Sequence, residues 1–225
     1  MKLLRQYIRK TILSEGIKKP SDLLPGSYIL VELDPGKVSK AKLMMPYPDA
    51  PWAKFRSNPE ATHTVAAQVD WGEQYLKQPC MGAAEVTFSN VSKGYLRDGG
   101  YQDPEGWAPM LYDIAMEMQG EKGLMCDRDE VSFDAKNVWE KYLTIRDDVQ
   151  PKLLDTKSGS YTEDPSDDCD QTTFMNYSGL YGDDEDESFR SEMGSHWASQ
   201  VFVKVSGTPV IDELRSKGLL KVVRK

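Results

Sequence analysis

The chain has 225 residues, 39% of them hydrophobic, and a formal net charge of −8, enough for one sizeable core and a small appendage. No apolar run reaches bilayer-spanning length and no secretory signal is visible, so the sequence predicts a soluble, intracellular protein with no membrane partner. Cys80, Cys126 and Cys169 form no CxxC pair, and with only two histidines no metal centre is expected.

Taken in chain order, Met1 to Glu15 sets Leu3, Leu4, Tyr7, Ile8, Ile12 and Leu13 on one helical face and Lys2, Arg5, Arg9 and Lys10 elsewhere. This spacing predicts a short basic amphipathic helix over 1–16, with Lys18-Lys19-Pro20-Ser21 as the linker to one domain over 17–225. Ser27 to Leu33 alternates as a strand, Asp34-Pro35-Gly36 turns the chain, and Lys40 to Met45 returns it. The proline-rich run Pro46 to Pro59 reads as an ordered surface loop, either covering a site or serving as a packed crossover. Thr62 to Val69 is a further strand, and His63 at its start is read as structural.

Met81 to Val91 reads as a longer strand, with Ala84, Val86, Phe88 and Val91 on the buried side and Glu85 and Thr87 on the other. A glycine-bearing loop follows, including Arg97, Gly99, Gly100 and Gly106-Trp107-Ala108-Pro109. Met110, Leu111, Ile114, Ala115 and Met118 then mark a helical face, with Pro109 in the first turn and Gly120 and Gly123 ending the helix. Leu124-Met125-Cys126 is a short buried strand. Ser132 caps a second helix carrying Ala135, Val138, Trp139, Tyr142 and Leu143 inward.

Between 163 and 187 lie ten acidic residues and no Lys or Arg, so against the overall −8 the rest of the chain sums to +2. This is a solvated acidic loop; the alternative of a calcium site lacks the EF-hand glycine and terminal glutamate spacing. The acidity is local, and no specific nucleic-acid partner is predicted. Phe202 to Val205 gives a last strand, and Ile211 to Leu220 a terminal helix.

Two resemblances follow from these residues. Met1-Lys2, Tyr7-Ile8 and Leu13-Ser14-Glu15 before Gly16 resemble the capsid-targeting peptide of internal head proteins of T-even-like phages. That resemblance implies cleavage at Leu13, Ser14, Glu15 and Gly16 by a maturation protease, contact with a prohead scaffold, and a place in the virion interior and then the host cytoplasm. Without the leader's meaning, a cytoplasmic location is expected.

The strand, loop, helix, strand and helix from Met81 to Leu143 resemble the cofactor-binding half of the GNAT N-acetyltransferases. In that family a central strand splays from its neighbour, and a loop opening the next helix grips acetyl-CoA pyrophosphate. The implied fold is α/β, a GNAT-like mixed, mostly antiparallel central sheet flanked by helices. The family's Arg/Gln-x-x-Gly-x-Gly/Ala loop aligns either on Gly106 and Ala108, which puts Asp103 at the Arg/Gln position, or on Arg97 and Gly100, which puts Gln102 at the last small position. The expected cofactor-binding set is Arg97, Gly99, Gly100, Gly106, Trp107 and Ala108, with Glu85 as base and Tyr142 as acid for transfer to an amine acceptor. The competing readings are a noncatalytic internal head protein and an acyl-CoA-binding module.

Overall fold

The computed structural model describes residues 17–34, 36–46, 62–73, 83–91, 94–95, 101–102, 106–127, 130–154, 164, 166, 173–176, 192–193 and 197–225. The predicted N-terminal helix, the loop predicted over Pro46 to Pro59 apart from Pro46, which ends a strand, and most of the acidic stretch lie outside these residues. The strands are β1 (Tyr28–Leu33), β2 (Val38–Pro46), β3 (His63–Glu73), β4 (Ala84–Val91), β5 (Gly94–Tyr95), β6 (Tyr101–Gln102), β7 (Leu124–Met125), β8 (Val131–Ser132), β9 (Val149–Lys152), β10 (Thr173–Asn176), β11 (Glu192–Met193), β12 (Val201–Lys204) and β13 (Leu220–Arg224). Three helices accompany them: α1 (Trp107–Gln119), α2 (Phe133–Thr144) and α3 (Pro209–Ser216). An eight-stranded, mostly antiparallel sheet runs in the order β13-β1-β2-β3-β4-β7-β12-β9, so the fold is mixed α/β. The chain divides into two compact units, Met1–Asp70 with Phe88–Ala115 and Thr208–Lys225, and Trp71–Thr87 with Met116–Gly207.

The first unit is built on the hairpin that the sequence predicts. Asp34 C=O accepts the Lys37 N–H at 3.0 Å, and Gly36 sits at φ +78°, where a side chain would be strained. The hairpin registers Tyr28 on Met44 and Glu32 on Lys40. Alternation puts Ile29, Val31, Ala41 and Leu43 fully inside. Glu32 accepts Lys42 Nζ at 2.7 Å and Lys225 Nζ at 2.8 Å. The Lys225 and Lys42 ammoniums hold its carboxyl down to about 2. His63 is structural in its contacts: Nε2 donates to Gly26 C=O at 2.9 Å, Nδ1 accepts from the Thr62 hydroxyl at 2.8 Å, and the ring meets Tyr28 edge-on.

The C-terminal segment departs from the sequence expectation. The helix predicted through Leu220 stops at Ser216, and Leu220 begins β13. Leu219 N–H donates to Leu214 C=O and Gly218 N–H to Arg215 C=O, with Gly218 at φ +67°. That pair of bonds is a Schellman stop, which needs a left-handed residue at Gly218. The β-branched Val222 and Val223 beyond it then favour a strand, which lies parallel to β1.

In the second unit β7 lies parallel to β4, paired only at Ala84 with Leu124 and Glu85 with Met125. β12 runs antiparallel to β7 and to β9, from Val201 on Lys152 to Lys204 on Val149. Ala83, Met125, Leu154, Val201 and Val203 form one buried cluster. The Ser132 hydroxyl accepts the Ala135 N–H at 3.2 Å, so the predicted cap starts α2. Strand β10 falls inside the predicted acidic loop, paired with β8 and β11; it occupies the interval between the two clusters of acidic residues, where the sequence carries none.

The strand β4 keeps Ala84 and Val86 buried, as predicted, but Phe88 is 47% exposed. Period-two alternation carries no information about how far the opposing layer reaches. Helix α1 is buried more completely than its predicted face: Trp107, Tyr112 and Met116 are inside, and so are Asp113 and Glu117.

The turn from α1 into β7 depends on Gly123, at φ +68°, where a Cβ would fall 2.6 Å from Val201 Cγ1 and 2.9 Å from the Phe202 carbonyl oxygen. Gly123→Ala is expected to cost about 3 kcal/mol, from left-handed strain and overpacking together. Gly36→Ala, with nothing within 4 Å of the added Cβ, carries only the strain, about 1 kcal/mol. Urea denaturation of the two variants checks the difference.

Candidate functional site

In the first unit the predicted cradle opens α1. Gly106 adopts φ +83°, a conformation that disfavours every side chain. Trp107 begins the helix at 3% exposure, so what it offers a ligand is its main-chain N–H rather than its indole. Ala108 follows it, half-buried, and Pro109 stands in the first turn. A helix start gathers N–H groups that have no intrahelical acceptor, together with the positive end of the helix dipole, and both favour a phosphate. Pro109 subtracts one such donor, leaving Trp107 and Ala108 to supply theirs, since Met110 already donates within the helix to the Gly106 carbonyl four residues back. The Gly106 carbonyl accepts the Lys18 N–H at 3.0 Å. The chain two residues beyond the predicted cleavage point at Gly16 is therefore fastened to the entrance of α1.

In the second unit Glu85 is on β4, 9% exposed, registered on Met125 of β7. Ala84 N–H donates to Gly123 C=O at 3.2 Å, which continues the parallel pairing into the turn after α1. Below that pair β4 and β7 share no further register position among the described residues.

Tyr142, the predicted acid, is 1% exposed on α2. Its ring meets Trp139 edge-on at 5.7 Å and lies tilted on Phe202 at 5.8 Å, while Trp139 stacks on Phe202 at 5.3 Å. The Arg146 guanidinium lies 5.3 Å from the Tyr142 ring centre. Arg146 in turn forks onto Asp148, Nε to Oδ1 and Nη2 to Oδ2, both at 2.6 Å, and Lys204 Nζ reaches the same carboxylate at 2.7 Å. Burial opposes the Asp148 charge, but the hydrogen bonds and charges of Arg146 and Lys204 outweigh it and hold the carboxyl well below its ordinary 3.8. Sequence reasoning missed this ion cluster; the one available signal was Lys204 closing the apolar run Val201-Phe202-Val203.

Glu85 and Tyr142 thus belong to the second unit and Gly106, Trp107 and Ala108 to the first. Arg97, Gly99 and Gly100, like Leu13, Ser14, Glu15 and Gly16, lie outside the described residues. Sequence reasoning also did not foresee that Asp113 and Glu117, four apart on α1, would be buried at 4% and 5% exposure. No group of three or more His, Cys, Asp or Glu fit to hold a metal occurs among the described residues. Among them, no helix is long and apolar enough to cross a membrane. Compared with models of known protein families, with curated proteins and with solved structures, the chain matches none.

The Asp148 cluster sets an acid limit. A carboxyl held below its unfolded value stabilises the fold above that value, near 3.8, and the contribution disappears as pH falls toward the lower folded value. Asp148→Asn is expected to cost on the order of 2 kcal/mol at pH 7, since it leaves the buried Lys204 and the half-buried Arg146 without their carboxylate. It also makes the fall of melting temperature below about pH 4 shallower. Glu32, held at about 2, keeps part of that fall in the variant. Differential scanning calorimetry from pH 2 to 7 reads both effects; equal slopes in the two proteins would count against the assignment.

Proposed function

We propose that the chain is an acetyl-CoA-dependent N-acyltransferase in which the entrance of α1 takes the cofactor's pyrophosphate. The observation that carries this reading is Gly106 at φ +83° opening a helix in an ordered run of strand, glycine-bearing loop, helix and parallel neighbouring strand. The parallel pairing of β4 with β7 fits the same reading, since the GNAT resemblance expects a strand beside the central one after this helix.

The chemistry asks three things. The acceptor amine gives up a proton, the C–N bond forms at the thioester carbonyl as the C–S bond breaks, and the departing thiolate takes a proton. Glu85 is assigned the first transfer and Tyr142 the last. The acceptor is an amine of host or phage origin. The leader reading adds packaging in a phage head, cleavage between Glu15 and Gly16, and release into the host cytoplasm.

A second reading, an acyl-CoA-binding module without turnover, is favoured by one observation. Tyr142 has 1% of its surface exposed, and its ring is enclosed by Trp139, Phe202 and Arg146. A side chain so placed offers a thiolate little surface.

Three measurements test these assignments. Coenzyme A at about 100 times its Kd is expected to stabilise the protein by roughly 2.7 kcal/mol. Gly106→Ala and Gly106→Glu share the left-handed strain, about 1 kcal/mol, but only the second brings a carboxylate against the pyrophosphate. The alanine variant should keep the ligand-induced thermal shift and the glutamate variant should lose it; equal shifts would remove the cradle assignment. In steady-state assays with an amine acceptor, Glu85→Gln and Tyr142→Phe should each lower kcat about 100-fold or more with coenzyme A binding kept. A Tyr142→Phe enzyme of full kcat returns that residue to a packing role. Mass spectrometry of virions should find a chain beginning at Gly16; full-length protein beginning at Met1 in heads would reject the processing step.

A further inference from the structure

Among the described residues β13 stands at one end of the sheet order, with β1 on its inner side alone. Ile29 N–H donates to Leu219 C=O at 2.8 Å, and Lys225 N–H donates to Leu33 C=O at 2.9 Å. With the parallel register between them, these bonds turn the amides and carbonyls of Lys221 and Val223 toward β1. Those of Leu220, Val222 and Arg224 point away from β1 and meet no backbone partner among the described residues. Neither face of the strand is covered: Val222 is 42% exposed and Val223 46%, and adjacent side chains of a strand project to opposite faces.

Edges left in water are ordinarily blunted with charge, and this one carries Lys221, Arg224 and Lys225. Two successive exposed valines are the opposite of blunting. Lys225 is already paired with Glu32, and the Lys221 ammonium lies 3.6 Å from the Tyr28 ring centre. No described carboxylate pairs with Lys221 or Arg224.

Charge then selects the occupant. A second copy pairing antiparallel about a two-fold axis would bring a second Lys221, Arg224 and Lys225 to the same edge, and like charges gathered along one strand pair repel. An acidic extended segment instead sets carboxylates against both cations. Two successive apolar side chains of that segment, one on each face, cover the valines, and its main chain satisfies the outward amides. We propose that the outer edge of β13 docks an extended, acidic segment of another polypeptide by strand addition.

The test is a fluorescence-anisotropy titration of the full chain with a labelled heptapeptide centred on Glu-Val-Val-Glu, which sets an acid and a valine on each face to match Lys221-Val222-Val223-Arg224. Saturable binding is expected. Val222→Pro removes an outward N–H and leaves the bonds to β1 intact, and Arg224→Glu reverses one recognition charge. Each should weaken the peptide at least about tenfold while the melting temperature stays near that of the parent. Arg224→Glu changes an exposed side chain only and carries the test should Val222→Pro lower the melting temperature. A heptapeptide centred on Lys-Val-Val-Lys that binds as well would overturn the proposal, because apolar contact alone would then suffice. So would the absence of saturable binding by the acidic peptide, which reduces the lysines to guards of the edge. A parent protein that runs as a dimer, converted to monomer by Val222→Pro, would overturn it in favour of a second copy.

Discussion

The return of the chain from α1 into β7 passes through one residue that has no alternative. Gly123 has a left-handed backbone and no room for a Cβ between Val201, Val203 and the Phe202 carbonyl. Its carbonyl takes the Ala84 N–H, and its own N–H goes to Gly120. A single glycine therefore ends the helix, fixes the register in which β7 meets β4, and lets β12 come against the turn. Displacing β7 by one residue would exchange the faces of Leu124 and Met125, both of which are buried. With both faces buried, a slip is opposed by lost packing and by loss of the Gly123 carbonyl's bond to Ala84 rather than by exposure to water.

Consequences reach the helix itself. α1 buries aromatic, aliphatic and acidic residues around its circumference, and a helix buried on every side is held in one rotation and one position. Its first turn inherits that fixity. Binding an anion on main-chain donors depends on such preorganisation, because donors that must be ordered at the moment of binding lose part of their advantage. The same packing removes the Trp107 indole from the surface, so specificity at this entrance rests with the backbone, with Gly106, and with what the preceding loop supplies. In the other unit the Trp139, Tyr142 and Phe202 rings and the Arg146–Asp148–Lys204 ions join α2 to β12 and β9, giving the charged cluster a packing role whatever the chemistry nearby.

How much of this was legible in the sequence depends on which signal each element carries. The β1–β2 hairpin was readable because alternation and Asp34-Pro35-Gly36 agree. So was α2, where Ser132 and the spacing of Val138, Trp139 and Tyr142 agree. The end of α3 was misread although Gly218 was in plain view, because Lys217 and Leu219-Leu220 continue a helical composition past the stop. β8, β9 and β11 were not foreseen; they are two to four residues long, too short for a period to register. Burial was legible where periodicity is strong and failed at Phe88, Asp113 and Glu117, since burying a carboxylate or exposing a phenyl ring is decided by distant neighbours. For the candidate site, the sequence located the glycine and the helix start together. It could not report the Lys18 amide resting on the Gly106 carbonyl, a contact across most of a hundred residues of chain.

The central claim is that main-chain N–H groups at the start of α1 bind a diphosphate. Amide-resolved NMR of the labelled protein, titrated with coenzyme A and with dephosphorylated pantetheine as control, observes those groups directly. Saturable shifts of the Trp107 and Ala108 amides are expected with coenzyme A, and little response to pantetheine, which lacks the pyrophosphate. Amides at the α1 entrance that stay still while coenzyme A is added, or that move equally with pantetheine, would contradict it.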